Sequence, residues 1–158
     1  MRKLLETVSL AGLAVMAWIT YAALHGPEPL PDRIPMHFDA AGNANGWGPP
    51  SSLSLLPVVA AALYLLITVI SLLPTGIECA VKLTVESRER MQALIRQMLA
   101  WFKVELVGLF LLIQWLILTG IREGTNKIPA IRPQFFLILF LGTMGWYFVA
   151  VFRAMRRA

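Results

Sequence analysis

Any chemistry in this chain would start from its histidines. There are two, His25 and His37, and His37 stands two residues before Asp39 in Ile34-Pro35-Met36-His37-Phe38-Asp39. On an extended strand an imidazole and a carboxylate two apart share a face, where they could relay a proton or contribute to a metal site. His25, Glu28 and Asp32 lie nearby in sequence. Zinc, however, takes three or four ligands at recognisable spacing, and no HExxH, CxxC or HxH occurs. The structural alternative for His37 is a hydrogen bond to loop carbonyls or to Asp39. Asn43, Asn45 and Gly46 faintly suggest a calcium loop, but Ala41 and Ser52 stand where its first Asp and last Glu belong. No phosphate loop, nucleophile elbow or Ser/His/Asp arrangement is present. The single cysteine, Cys79, rules out an internal disulfide and reads as a small hydrophobe. The expectation is no catalytic residue, no metal and no cofactor.

A second set of candidates is ionisable residues inside apolar runs: Lys3 and Glu6 near the start, Lys103 and Glu105 further on. Charge within a membrane span is expensive, so such residues are functional or pairing candidates by default. Lys103 is long enough to snorkel to the surface. Glu105 is shorter and wants a partner, which the spacing predicts on the first helix. The four together form an expected inner-layer charge cluster that pins the first and third helices. Gln114 is nine residues from Glu105, on roughly the opposite helix face. No continuous polar pathway is visible, which argues against a pump or channel.

The elements that position these residues follow from composition. Of 158 residues, 58% are hydrophobic and 15% charged, with a mean hydropathy of +0.68. A soluble domain is about half apolar and about a quarter charged. The excess sits in long uncharged runs, which excludes a soluble enzyme and a disordered chain. A span needs about 20 apolar residues, and four candidates meet that: 4–24, 53–73, 99–121 and 135–152. Pro74 and Gly76 close the second, and Pro133 starts the fourth. The first run is longer than the roughly 7–15 residues of a signal-peptide core, so it reads as a retained helix. The fold class is therefore an all-α integral membrane protein, one domain over 1–158, with four transmembrane helices.

Orientation follows the basic residues. With the N-terminus inside, Arg2, Lys3, Lys82, Arg88, Arg90, Arg96, Arg153, Arg156 and Arg157 lie inside; Arg33, Arg122, Lys127 and Arg132 lie outside. This places both termini in the cytoplasm of a multi-pass cell (inner) membrane protein, with Gly42 outside and Val85 inside. The net charge of +5 is then a topology signal rather than a nucleic-acid footprint. Trp18, Tyr21, Trp101, Trp115, Trp146 and Tyr147 fall mostly towards span ends, as interfacial anchors do.

Two connections carry information. Met91, Leu94, Ile95, Met98, Leu99 and Phe102 repeat at helical spacing, so the third helix extends into the cytoplasm over 87–98, with Ser87 as N-cap. Between the first two spans, the outer loop 25–52 holds Pro27, Pro29, Pro31, Pro35, Pro49 and Pro50. Prolines preset the backbone, so this loop is an extended, semi-rigid cap over the bundle's outer mouth. Its period-two run puts Ile34, Met36 and Phe38 towards the bundle and Pro35, His37 and Asp39 away from it. Asn45-Gly46 reads as the tight turn, and Trp47 returns the chain to the interface before Ser51 or Ser52 caps the second span.

Within this loop a likeness appears. Leu30-Pro31-Asp32-Arg33-Ile34-Pro35-Met36-His37-Phe38-Asp39, then Gly42, Gly46-Trp47-Gly48 and the serines, resemble a motif of a bacterial membrane domain of unknown function, DUF1648, over roughly residues 10–60. That domain also forms the N-terminal part of SdpI-type immunity proteins. For those proteins the resemblance implies self-protection against a secreted toxic peptide and membrane sequestration of a transcriptional repressor.

The residues and the resemblance together point to a binding or immunity-like, signalling module. Its outer loop would recognise a ligand or partner through Asp32, Arg33, His37, Phe38, Asp39, Asn43 and Trp47. The expected partners are the lipid bilayer and a peptide or protein, with self-association open and no nucleic acid. The rival class is a membrane enzyme or transporter component using His37 and Asp39 at the outer interface.

Overall fold

The computed structural model describes residues 1–73, 85–125, 127 and 131–156, without the side chains of 131–134, 155 and 156. The expectations for Pro74, Gly76, Cys79, Lys82 and Arg157, and for the side chains of Arg132, Pro133 and Arg156, lie outside the described residues. The elements run α1 (Arg2–His25), β1 (Ile34–Phe38), β2 (Ala44–Gly48), a 3-10 turn (Pro50–Ser54), α2 (Leu55–Leu72), α3 (Val85–Arg122) and α4 (Ile131–Arg156). Among the described residues four helices are long and apolar enough to cross a membrane. The chain is an all-α membrane protein in the sense its hydropathy predicts.

The longest helix organises the rest. α3 packs against α1, α2 and α4, and α1 also touches α2. At 38 residues it is about 57 Å long, well beyond the roughly 30 Å of a hydrocarbon core. Gln97 Nε2 lies 3.8 Å from Met1 Sδ, which marks where α1 begins alongside it. Residues 85–96 continue for about 18 Å past that level. α3 starts at Val85, so Ser87 sits inside its first turn instead of capping it.

The helices meet through small residues and short apolar side chains. A Cβ placed on Gly12 would lie 2.7 Å from Val107 Cγ1, so α1 and α3 touch there only because Gly12 has no side chain. Met16, Ala60 and Val107 form the mid-bundle core. A second cluster, Ile34, Leu53, Ile117 and Leu118, closes the end where the outer loop lies, with Leu30, Met36 and Phe38 packed on it. One member of that cluster belongs to the loop itself. Ser9 and Thr20 return their hydroxyls to the carbonyls of Leu5 and Met16 at 3.0 and 2.9 Å, which hides their polarity within the helix.

The outer loop is a two-stranded antiparallel hairpin instead of a plain extended stretch. β1 pairs with β2 as Ile34 with Gly48, Pro35 with Trp47, His37 with Gly46 and Phe38 with Ala44. Asn45-Gly46 lies inside β2, so the expected tight turn is not there. The chain reverses at 39–43, where Gly42 takes a φ of 81° that side chains rarely tolerate. Register slips between Pro35 and His37 and again between His37 and Phe38. A bulge of this kind breaks strict alternation, and Pro35 is buried although the period-two pattern turned it outward. Ser51 and Ser52 fall in the 3-10 turn, and no side chain caps α2.

Candidate functional site

The loop candidates sit on or beside the hairpin, and two of them hold it together. Asp39 Oδ1 accepts from the backbone N–H groups of Ala41 and Asn43 at 2.9 and 2.8 Å. Asn43 Nδ2 donates to Asp39 Oδ2 at 3.1 Å. The main chain closes the same turn, Asp39 N–H to Asn43 O and Gly42 N–H to Asp39 O, both 2.9 Å. The Asn43 side-chain donor, followed by the backbone N–H groups, holds the Asp39 carboxyl below the usual carboxylate range. Asp39 and Asn43 therefore make the turn. At the hairpin tip Asn43 also bridges to Lys127 in the connection after α3.

His37 does not pair with Asp39. Its Nδ1–H donates to Asn45 Oδ1 on the facing strand. A Cβ on Gly46 would come within 2.9 Å of His37 Cβ, so only glycine lets the strands close at that position. His25 is elsewhere, its ring stacked on Tyr21 and its Nδ1–H donating to Tyr21 O at 3.1 Å. Among the described residues no three His, Cys, Asp or Glu side chains converge. Phe38 is half-buried against the core cluster, whereas Asp32, Arg33, His37 and Trp47 are exposed.

The hairpin is anchored beside a cleft. Ile34, fully buried, packs with Leu53, Ile117 and Leu118 and fixes the cap to the 3-10 turn before α2 and to α3. The stretch 26–31 leaves α1 and runs past the end of α3, leaving a cleft of about 470 Å³. Its walls are Pro27, Pro29 and Pro31 on one side and Leu118 and Ile121 on the other, with Glu28 and Arg122 also lining it. Prolines cost little further entropy on ligand binding because their φ is already fixed. None of Asp32, Arg33, His37, Phe38, Asp39, Asn43 or Trp47 lines this cleft. The proline run was a visible signal for its loop wall. The α3 wall was not, because Arg122 is distant in sequence.

The intramembrane charges sort differently from the expected cluster. Lys103 is buried, 1% exposed, and does not snorkel. Its Nζ donates to Glu6 Oε1 and Oε2 at 2.7 and 2.9 Å and to Thr68 Oγ1 at 3.0 Å. Tyr64 OH donates to Glu6 Oε2 at 2.8 Å, and the ammonium sits 4.7 Å from the Tyr64 ring centre. The network thus ties α1, α2 and α3 together, and α2 supplies two members that hydropathy alone could not identify. Lys3 is exposed and outside it. Glu105 turns away from α1: its Oε1 accepts from Thr143 Oγ1 on α4 at 2.6 Å. Gln114, buried higher up, donates from Nε2 to Thr20 Oγ1 at 2.7 Å and Met16 O at 3.2 Å.

Comparison with curated proteins and with solved structures gave no match. Residues 11–61 match the family model described as a domain of unknown function, DUF1648. The matched stretch runs from within α1, through the whole cap, into α2, and this part of the chain is a DUF1648 domain.

Proposed function

We propose that this membrane protein is a binding module whose cap, on the outer side of a cell membrane, recognises an extended peptide. One observation carries the reading: the cleft of about 470 Å³ between the proline run and the end of α3, held open by a cap anchored through Ile34. Its volume falls in the range of small-ligand sites. Glu28 and Arg122 offer one charge of each sign, which suits a chain carrying both ammonium and carboxylate groups. The distribution of basic residues supports cytoplasmic termini and an outward cap. The likeness to SdpI-type immunity proteins supports a secreted toxic peptide as the ligand. The rival reading, chemistry at His37 and Asp39, loses support because each is engaged with a different partner in the hairpin.

The test is protection. Cells producing the chain are challenged with secreted antimicrobial peptides, beside cells producing Leu118→Trp, which fills the cleft, Arg122→Glu, or His37→Ala. The expected result is protection by the natural chain and by His37→Ala, lost in Leu118→Trp and Arg122→Glu at equal membrane abundance. Equal protection by all four, or none by the natural chain, contradicts the proposal.

A further inference from the structure

The buried carboxyl of Glu105 is left half-used by the fold. Glu105 is 6% exposed; Oε1 has Thr143, while Oε2 is buried without a hydrogen-bond partner among the described residues. An unpartnered carboxylate oxygen away from water is costly, more so within a membrane span. The same residue borders a groove of about 610 Å³ between α3 and α4, which runs along α4 from Tyr147 to Phe135. Twelve helical steps between those two residues make that groove about 18 Å long. It opens to the bundle's outside, where lipid would lie, since Phe135, Ile138 and Trp146 are strongly exposed. A long apolar groove with a carboxyl group on its wall suits an alkyl chain carrying a donor at its end.

The walls narrow the choice of head group. Trp101 and Trp146 line the groove near Glu105, and indole faces attract ammonium groups. Among the described residues no Lys or Arg lines it, so a phosphate brought to Glu105 would meet a carboxylate and none of these cations, which disfavours a phospholipid. An ammonium would give Oε2 both an N–H donor and the opposite charge. We propose that the α3–α4 groove binds a long-chain primary amine, its ammonium on Glu105 and its alkyl chain along α4 towards Phe135. This site is separate from the outer cleft. Glu105 precedes Leu118 by thirteen residues on α3, about 20 Å along the helix.

The experiment titrates the purified chain in phosphatidylcholine nanodiscs with isotope-labelled dodecylamine. The expected result is saturable binding that weakens about tenfold or more in Glu105→Gln, the scale of a lost charge-assisted hydrogen bond. Gly142→Leu should also weaken binding by narrowing the groove. A Cβ there meets nothing within 4 Å, so this variant decides the matter alone if Glu105→Gln fails to fold. Glu6→Gln, a carboxylate outside the groove, should bind as the natural chain does. Dodecyltrimethylammonium, which has the charge and no N–H, should compete poorly. Binding unchanged in both groove variants overturns the proposal. So does displacement by phosphatidylethanolamine or by self-association at raised protein concentration, which would assign the groove to lipid or to a second copy.

Discussion

Lys103 shows how far a single residue can be read before its neighbours are known. Its type and depth suggested an ammonium that escapes to the surface, with Glu105 as the charge needing a partner. Packing reverses the two. Lys103 is enclosed by Glu6, Thr68 and the Tyr64 ring, because α2 closes over it. Removing it leaves Glu6 without its cation, so Lys103→Ala should destabilise the solubilised protein by about 3 kcal/mol. That is the low end for breaking a buried pair, since the Glu6 side chain remains 30% exposed. Glu105→Ala loses one hydrogen bond but also removes an unpartnered oxygen, and should change stability by less than about 1 kcal/mol. Thermal unfolding in detergent distinguishes the two; a larger loss in Glu105→Ala would contradict this assignment. Asp39 gives a pH prediction at the same scale. Its folded pKa is depressed, so its contribution is complete above the usual carboxylate range and is lost as pH falls through the lowered value. The protection of the Ala41 and Asn43 amides, measured relative to the intrinsic exchange rate at each pH, should fall on acidification in the natural chain. In Asp39→Asn protection should already be low and lack that acid step.

The elements were legible where periodicity is long and local. The four spans follow from long runs of apolar residues, and the stretch of α3 before its span carries the helical spacing of Met91, Leu94, Ile95 and Met98. The hairpin was half legible. The alternation of Ile34, Met36 and Phe38 gave the first strand and its inward face. The second strand, Ala44–Gly48, has little apolar patterning, and Asn45-Gly46 looked like a turn because that dipeptide usually is one. The competing turn at 39–43 wins because Asp39 satisfies two backbone donors and Gly42 accepts the positive φ. The cap's rigidity rests on Ile34. Ile34→Ala should cost about 2–5 kcal/mol if the vacated space stays empty, felt first as loosening of the cap. Limited proteolysis in membranes should then cut between Asp32 and Gly48 faster than in the natural chain. Unchanged proteolysis would mean the cap is held by its strands alone.

At the scale of the whole molecule, polarity is layered. A hydrogen-bonded cap lies at one end, Gln114 and Thr20 join α3 to α1 below it, and the Lys103–Glu6–Tyr64 network lies towards the other end. Each layer joins α3 to a different set of neighbours, and α3 is the helix that packs against all three others. The cleft beside the cap could not be read in advance, because its two walls meet only once α1 and α3 are side by side. Recognition at the cap requires that it face outward and sit firmly on the bundle. Impermeant maleimide labelling of single cysteines in intact cells, on a Cys79→Ser background, tests both at once. Asp32→Cys and His37→Cys should label in intact cells, Ile34→Cys only after denaturation, and Val85→Cys only after permeabilisation. Labelling of Val85→Cys from outside, or of Ile34→Cys as readily as His37→Cys, would contradict it.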